Sequence, residues 1–132
     1  MQLEFVHPKM LTDEDIGWIT RGCLAVKYQQ FSPEGLVRDA LENKLEFYRV
    51  RGNGSVGIIG VECGNEMIWL YLVAGRNIMG SFDELLEWLK VLARSRGAKK
   101  LGAMISSPAL ERLMERRKLG TKRAAYMVVE DL

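Results

Sequence analysis

Few side chains in this sequence are of the kinds that carry chemistry, and their spacing excludes more than it admits. His7 is the sole histidine; it precedes Pro8 and has no serine or acid at a telling spacing, so a Ser-His-Asp arrangement cannot be built from it. Cys23 and Cys63 do not form a Cys-x-x-Cys pair, and two cysteines with one histidine cannot close a zinc cage. That usage points to reduced thiols and a cytoplasmic setting. The chain has no glycine-rich loop ending in Gly-Lys-Ser/Thr, no paired histidines and no aromatic-rich nucleic-acid motif, which argues against nucleotide hydrolysis and metal chemistry. The candidates that remain are two carboxylates, Glu62 and Glu66, a strand tyrosine, Tyr71, a glycine ahead of a helix, Gly80, and the pair Ser106 and Ser107 before Pro108.

What positions them follows from composition and periodicity. A chain of 132 residues, 48% apolar and 27% charged with three prolines, is an ordinary folded sequence with length for one domain, spanning 1–132. Nowhere do 18 apolar residues run together, and the first residues lack the basic-then-apolar pattern of a leader, so a soluble, unprocessed protein without a membrane segment is expected. The net charge of +2 is unevenly spread: residues 1–89 carry 8 Lys+Arg against 13 Asp+Glu, and residues 90–123 carry 11 against 2. A basic stretch of that kind predicts a face for phosphate, nucleic acid or an acidic protein, unless it is solvated surface.

Leu3 to His7 reads as a strand stopped by Pro8. Thr12 and Asp15 form a capping-box-like start, Asp13, Glu14 and Asp15 suit a helix N-terminus, and Ile16, Ile19, Thr20 and Cys23 mark one stripe. Ser32 before Pro33 caps a second helix ending near Asn43. From Leu45 the period is two, and Arg51-Gly52-Asn53-Gly54 is a tight hairpin turn into Val56–Val61. Gly64-Asn65 turns the chain into Glu66–Val73, apolar on both faces as a covered central strand should be. Ser81 and Glu84 predict a capping box for a helix stopping at Gly97. Leu101–Ile105 is a strand, Ser107-Pro108 opens a helix closed by Gly120, and Ala125–Val129 is the last strand. The order β-α-α-β-β-β-α-β-α-β predicts an α+β domain with a mixed, mostly antiparallel sheet and helices on both faces.

This order, with a loop after the fourth strand leading into a leucine-rich helix and Glu115-Arg116-Arg117-Lys118-Leu119-Gly120 before the end, resembles the GNAT acyltransferase superfamily over nearly the whole chain. The resemblance implies one domain that binds acetyl-coenzyme A where the fourth and fifth strands part and passes the acetyl group to an amine. The family's loop reads Gln/Arg-x-x-Gly-x-Gly/Ala; here Asn77-Ile78-Met79-Gly80-Ser81-Phe82 matches at Gly80 alone, and Arg76 supplies the basic residue if the loop is one residue longer. Asp83 and Glu84 in the first helical turn would repel a phosphate there. The family's tyrosine acid falls at Arg116, and Leu119-Gly120-Thr121 lacks the family's phenylalanine.

Carried over residue by residue, the resemblance places the cofactor along the backbone of Leu72 and Val73, around Gly75, Arg76, Asn77, Gly80 and Ser81, and near Ser107. Glu62 or Glu66 would be the base and Tyr71 would line the acceptor pocket. Short, motif-poor chains of this kind also resemble phage-encoded proteins, so a second expectation is a GNAT-fold subunit without a cofactor site, acting in virion assembly and found in the virion. Self-association is compatible with both.

Overall fold

The structure is a computed structural model, and it describes residues 1–25, 32–104, 122–124 and 127–131. Among these, β1 (Gln2–Val6) leads through a 3-10 turn at Pro8–Met10 into α1 (Asp13–Ala25) and α2 (Pro33–Leu41). The meander β2 (Leu45–Gly52), β3 (Ser55–Cys63) and β4 (Met67–Arg76) follows, then α3 (Phe82–Ser95), β5 (Lys100–Met104), β6 (Lys122–Ala124) and β7 (Met127–Asp131). The strands form one sheet in the order β1-β2-β3-β4-β5-β7-β6, with β4–β5 parallel and every other pair antiparallel.

Local chemistry accounts for most element ends. Thr12 Oγ1 accepts from the Asp15 amide at 3.1 Å while Asp15 Oδ2 accepts from the Thr12 amide at 2.9 Å, so the reciprocal cap closes with aspartate in glutamate's place. Ser32 Oγ accepts from the Gly35 amide at 3.0 Å, and Asn43, at φ 62°, ends the second helix in the left-handed region. In the β2–β3 hairpin, Gly52 pairs with Ser55 across Asn53 and Gly54, whose φ values of 54° and 76° fit a two-residue turn of the primed type.

The sheet separates two apolar clusters. Val50, Ile59, Val61, Ile68 and Leu70 pack under α3 through Phe82, Leu85, Leu89 and Ala93. On the other face Phe47, Ile58, Leu72 and Ala74 meet Trp18, Ile19 and Cys23 of α1 and Leu36 and Ala40 of α2. Each fully buried large aliphatic side chain contributes about 1.5–3 kcal/mol, so these two clusters hold the layers together.

Four expectations change. Ile16 and Thr20 face water, and Asp15, expected at the helix surface, is 2% exposed against Arg49. The Ser81–Glu84 box does not form: Ser81 makes no cap bond and its Oγ lies 3.2 Å from Ser55 Oγ instead, because its backbone, at φ −111° and ψ 24°, already belongs to a 3-10 turn at Met79–Ser81. The first strand spans Gln2–Val6, with His7 beyond it accepting at Nδ1 from the Lys9 amide. The chain end holds two strands, β6 and β7, where one was expected; Lys122 and Arg123, part of the basic stretch 90–123, belong to β6 at the sheet's edge, where charged residues discourage pairing with another sheet. The predicted helix over 107–120 lies outside the described residues.

Candidate active site

The described pairing of β4 with β5 is shorter than β4 itself. β4 pairs with β5 from Met67↔Lys100 to Leu70↔Ala103, and there the described pairing stops. Met104 of β5 still pairs with Met127 of β7, while β4 continues to Arg76. The backbone of residues 71–76 therefore has no β5 partner among the described residues.

A bulge sits next to the last described β4–β5 pair. Across β3, Gly60 opposes Leu72 and Val61 opposes Leu70, which leaves Tyr71 as the extra residue. The bulge reverses the parity of β4: Ile68 and Leu70 face α3, whereas Leu72 and Ala74 face α1. Bulges leave a residue out of the ladder and re-aim side chains, which suits a strand edge that meets a ligand.

On the α1 and α2 face a row of registered residues crosses four strands: Leu45, Glu62, Trp69 and Gly102. Gly102 is bare because a Cβ there would lie 2.4 Å from Trp69 Cε3, so the indole covers that backbone. Tyr71, half-buried, follows on the same face against the α1 and α2 cluster. Burial pushes its phenol above the usual tyrosine value, with the negative charges of Glu62 and Asp39 adding to the rise. The phenol thus stays protonated at neutral pH. Glu62 is exposed beside it.

Beyond β4 the chain packs tightly on itself. A Cβ on Gly57 would lie 2.1 Å from the Ala74 carbonyl oxygen and one on Gly75 would lie 2.2 Å from that of Val56, so two bare backbones cross with Ile78 Cδ1 over both. Asn77, at φ 59°, gives its side-chain amide to the Gly54 carbonyl, and Ser55 donates to the Asn77 carbonyl at 2.9 Å. Gly80 differs: it is exposed, and a Cβ there meets nothing within 4 Å. Glu84 in the first turn of α3 takes the Met1 ammonium at 3.0 Å and the Asn53 amide at 3.3 Å.

No family model and no curated protein matches the sequence. Solved structures do. The chain is similar over 99% of its length to aminoglycoside 6'-acetyltransferase type Ii, covering 97% of that chain at 14% identity with a TM-score of 0.67. It is similar over 98% of its length to Campylobacter jejuni N-acetyltransferase PseH in complex with acetyl coenzyme A, covering 99% of that chain at 14% identity with a TM-score of 0.61. It is similar over 99% of its length to a protein from Desulfovibrio desulfuricans assigned to the GNAT acetyltransferases, at 17% identity with a TM-score of 0.63 and 97% of that chain covered. The fold is the GNAT fold.

Within that GNAT framework the expected residues divide. Leu72, Val73, Gly75 and Arg76 all lie on the stretch of β4 beyond the described β5 pairing, and Tyr71 and Glu62 share the face at its start. Glu66 stands apart: it is exposed in the β3–β4 turn, 4.0 Å from Lys99 Nζ, and five residues along a strand put it about 16 Å from Tyr71. Asn77 and Ser81 spend side-chain bonds on the β2–β3 turn and on Ser55. Ser107, like Arg116, lies outside the described residues. Two arrangements escaped sequence reasoning, although Arg76 itself was expected at the site. Trp69 over Gly102 depends on strand register, although an aromatic on one strand and a glycine on another is a signal for it. Arg21 and Arg76 both reach the ring of Trp18, and the three-residue step from Trp18 to Arg21 was the only hint.

Proposed function

We propose that this GNAT-fold chain is a divergent N-acyltransferase that binds acetyl-coenzyme A in the wedge between β4 and β5 and acetylates an amine. The observation that carries the reading is the bulge at Tyr71, which falls immediately after the last described β4–β5 pair, Leu70↔Ala103. Backbone groups of residues 71–76 fit an extended, amide-containing arm laid beside them as a further strand would be. Open space at Gly80 fits a phosphate approaching the loop, while Asp83 and Glu84 weaken the helix N-terminus as an anion site.

Acetyl-coenzyme A, when bound, supplies the acetyl group as an activated thioester. Glu62 is the residue to accept the proton that the amine releases, being an exposed carboxylate on the rim with no ion pair among the described residues. Tyr71, held protonated, lines the acceptor side together with Trp69. Glu66 is too distant for the base role.

A cofactor at 100 times its Kd stabilises the fold by about 2.7 kcal/mol, which for a chain of this size is a rise in Tm of roughly 5–15 °C. Differential scanning fluorimetry with millimolar acetyl-coenzyme A reads it, and no shift would sink the proposal. Gly80→Asp should abolish the shift with the fold intact. Glu62→Gln should keep the shift and lower turnover by about 10²-fold or more.

A second reading draws on the loop. Ile78 caps the Gly57–Gly75 crossing and Glu84 is engaged with Met1 and Asn53, as in a GNAT-fold protein whose phosphate loop has become packing surface. In that case the chain is an interaction subunit, phage virion assembly included, and acetyl-coenzyme A leaves Tm unchanged while removal of the chain alters an assembly.

A further inference from the structure

Alongside α1, on the opposite side of the sheet from α3, runs an open groove of about 560 Å³ lined by Asp13, Glu14, Gly17, Trp18, Arg21 and Arg76. Its floor is free at Gly17, where a Cβ would meet nothing within 4 Å. At one end two cations converge on one ring: Arg21 Cζ lies 4.9 Å and Arg76 Cζ 5.9 Å from the centroid of the Trp18 indole. The ring itself is buried, at 7% exposure, and its Nε1 is directed to Glu14 Oε1 at 3.4 Å. Both arginines are exposed, and neither makes an ion pair with a carboxylate among the described residues.

We propose that Arg21 and Arg76, held on Trp18, form a two-guanidinium site for a phosphate group. A guanidinium in contact with an aromatic ring spends its charge on the ring while its N–H groups stay available for an acceptor. Here α1 and β4 each present one such fork to the same groove; the nearby Glu14 carboxylate is directed to the indole N–H and pairs with neither arginine among the described residues, so both forks keep donors for an anion. One carboxylate is satisfied by one fork, whereas a phosphate has the charge and the oxygens for two. Asp13 stands eight residues from Arg21, about 12 Å along the helix, and Glu14 lies between them at the edge of the indole, so the groove runs from the arginines towards the acids, with the anion at the arginines and a neutral or cationic remainder directed to Asp13 and Glu14. The site does not use the N-terminus of α3, and it exists whether or not the chain is an acyltransferase.

The phosphate has two sources, a coenzyme or a separate phosphorylated ligand, and the experiment separates them. Isothermal titration of the full chain with inorganic pyrophosphate at 50 mM salt should show saturable binding, weakened about tenfold or more by Arg21→Gln and by Arg76→Gln, and only in part by Arg21→Lys, which keeps charge and loses the fork. Glu14→Gln should leave pyrophosphate binding intact or tighten it. Circular dichroism melts confirm that each variant is folded. Acetyl-coenzyme A titrated into the same variants assigns the source: parallel loss makes the phosphate the coenzyme's, and unchanged coenzyme affinity makes it another ligand's. Because pyrophosphate is titrated alone, a chain that ignores acetyl-coenzyme A overturns the acyltransferase reading and leaves this site standing. Absence of pyrophosphate binding at millimolar concentration, or equal binding by the folded double variant R21Q/R76Q, overturns the site.

Discussion

Asp15 shows how one residue can hold two elements in place. Its carboxylate closes the cap of α1 on the Thr12 amide and takes a fork from Arg49 of β2, with Arg49 Nε at 3.1 Å and Nη2 on the other oxygen. Burial alone would raise its pKa; the Arg49 guanidinium, helped by the Thr12 amide and hydroxyl, outweighs burial and holds the carboxyl below the usual value. A depressed folded pKa means that the stabilisation is present above the unfolded value of about 3.9 and is lost as pH falls through the folded value. Asp15→Asn leaves Arg49 largely buried without its countercharge, a loss of about 3 kcal/mol and roughly 10 °C in Tm at pH 7. The variant should also show a shallower loss of Tm below about pH 4 than wild type, and equal melting curves would refute the pairing. Cys63 supports a second expectation. Burial pushes its thiol up to about 11, Glu46, which accepts from it at 3.3 Å, adds to the rise, and Arg96 opposes it only in part. In a Cys23→Ala background, Cys63 should alkylate at pH 8 about 10² times more slowly than a free thiol, and a fast reaction would show that the Glu46–Arg96–Tyr48 network opens.

Elements were legible in the sequence wherever local chemistry decides them. Asn53-Gly54, Ser32-Pro33 and Asn43 each name a backbone conformation, and the structure has a turn, a cap and a stop there. Where a long-range partner decides, the sequence was silent: Asp15 reads as a dipole-complementing acid until Arg49 of β2 is placed beside it, and Ser81 as a cap until Ser55 is. The candidate site is divided in the same way. Its strand and loop could be located from pattern, but the bulge at Tyr71 is a property of register between β3 and β4, and an uninterrupted apolar run such as Ile68–Val73 conceals a change of face. That change yields a test. Ile68 and Leu70 face α3, Leu72 faces α1 and Val73 packs with the α3 cluster again, so deletion of Tyr71 gives a regular strand with every other side chain on its own face. The deletion should fold, with about 1–2 kcal/mol lost from the contacts of the phenol ring. On the proposed acetyl-coenzyme A site, the variant should show no Tm response to that cofactor, because a regular strand removes the bulge at Tyr71. A deletion variant that unfolds would mean that the bulge is structural, and one that binds as before would remove it from the site.

At the scale of the molecule, the charge asymmetry of the sequence is partly cancelled by the fold. Arg96 is tied to Glu46 at 2.6 Å, Lys90 lies 3.7 Å from Glu87 and Lys99 lies 4.0 Å from Glu66, which leaves Arg94 and Lys100 without an ion pair among the described residues. Lys122 and Arg123 stand on β6 at one edge of the sheet, two strands from β5, which begins at Lys100. The basic stretch of the sequence, with Arg94 and Lys100 unpaired among the described residues, predicts a partner recognised by charge density rather than by shape. If four cations of that stretch meet phosphates of DNA or RNA, affinity falls with about the 3.6th power of salt, or about 10²-fold between 50 and 200 mM, irrespective of base sequence. Fluorescence anisotropy with labelled DNA and RNA of unrelated sequences measures that slope, and Lys100→Glu with Arg94→Glu should reduce both the affinity and the slope. Arg96→Gln is the contrasting variant, since its charge is already matched by Glu46 and its loss should lower Tm more than binding. Binding that ignores salt, or that survives reversal of Arg94 and Lys100, would place the partner elsewhere on the surface.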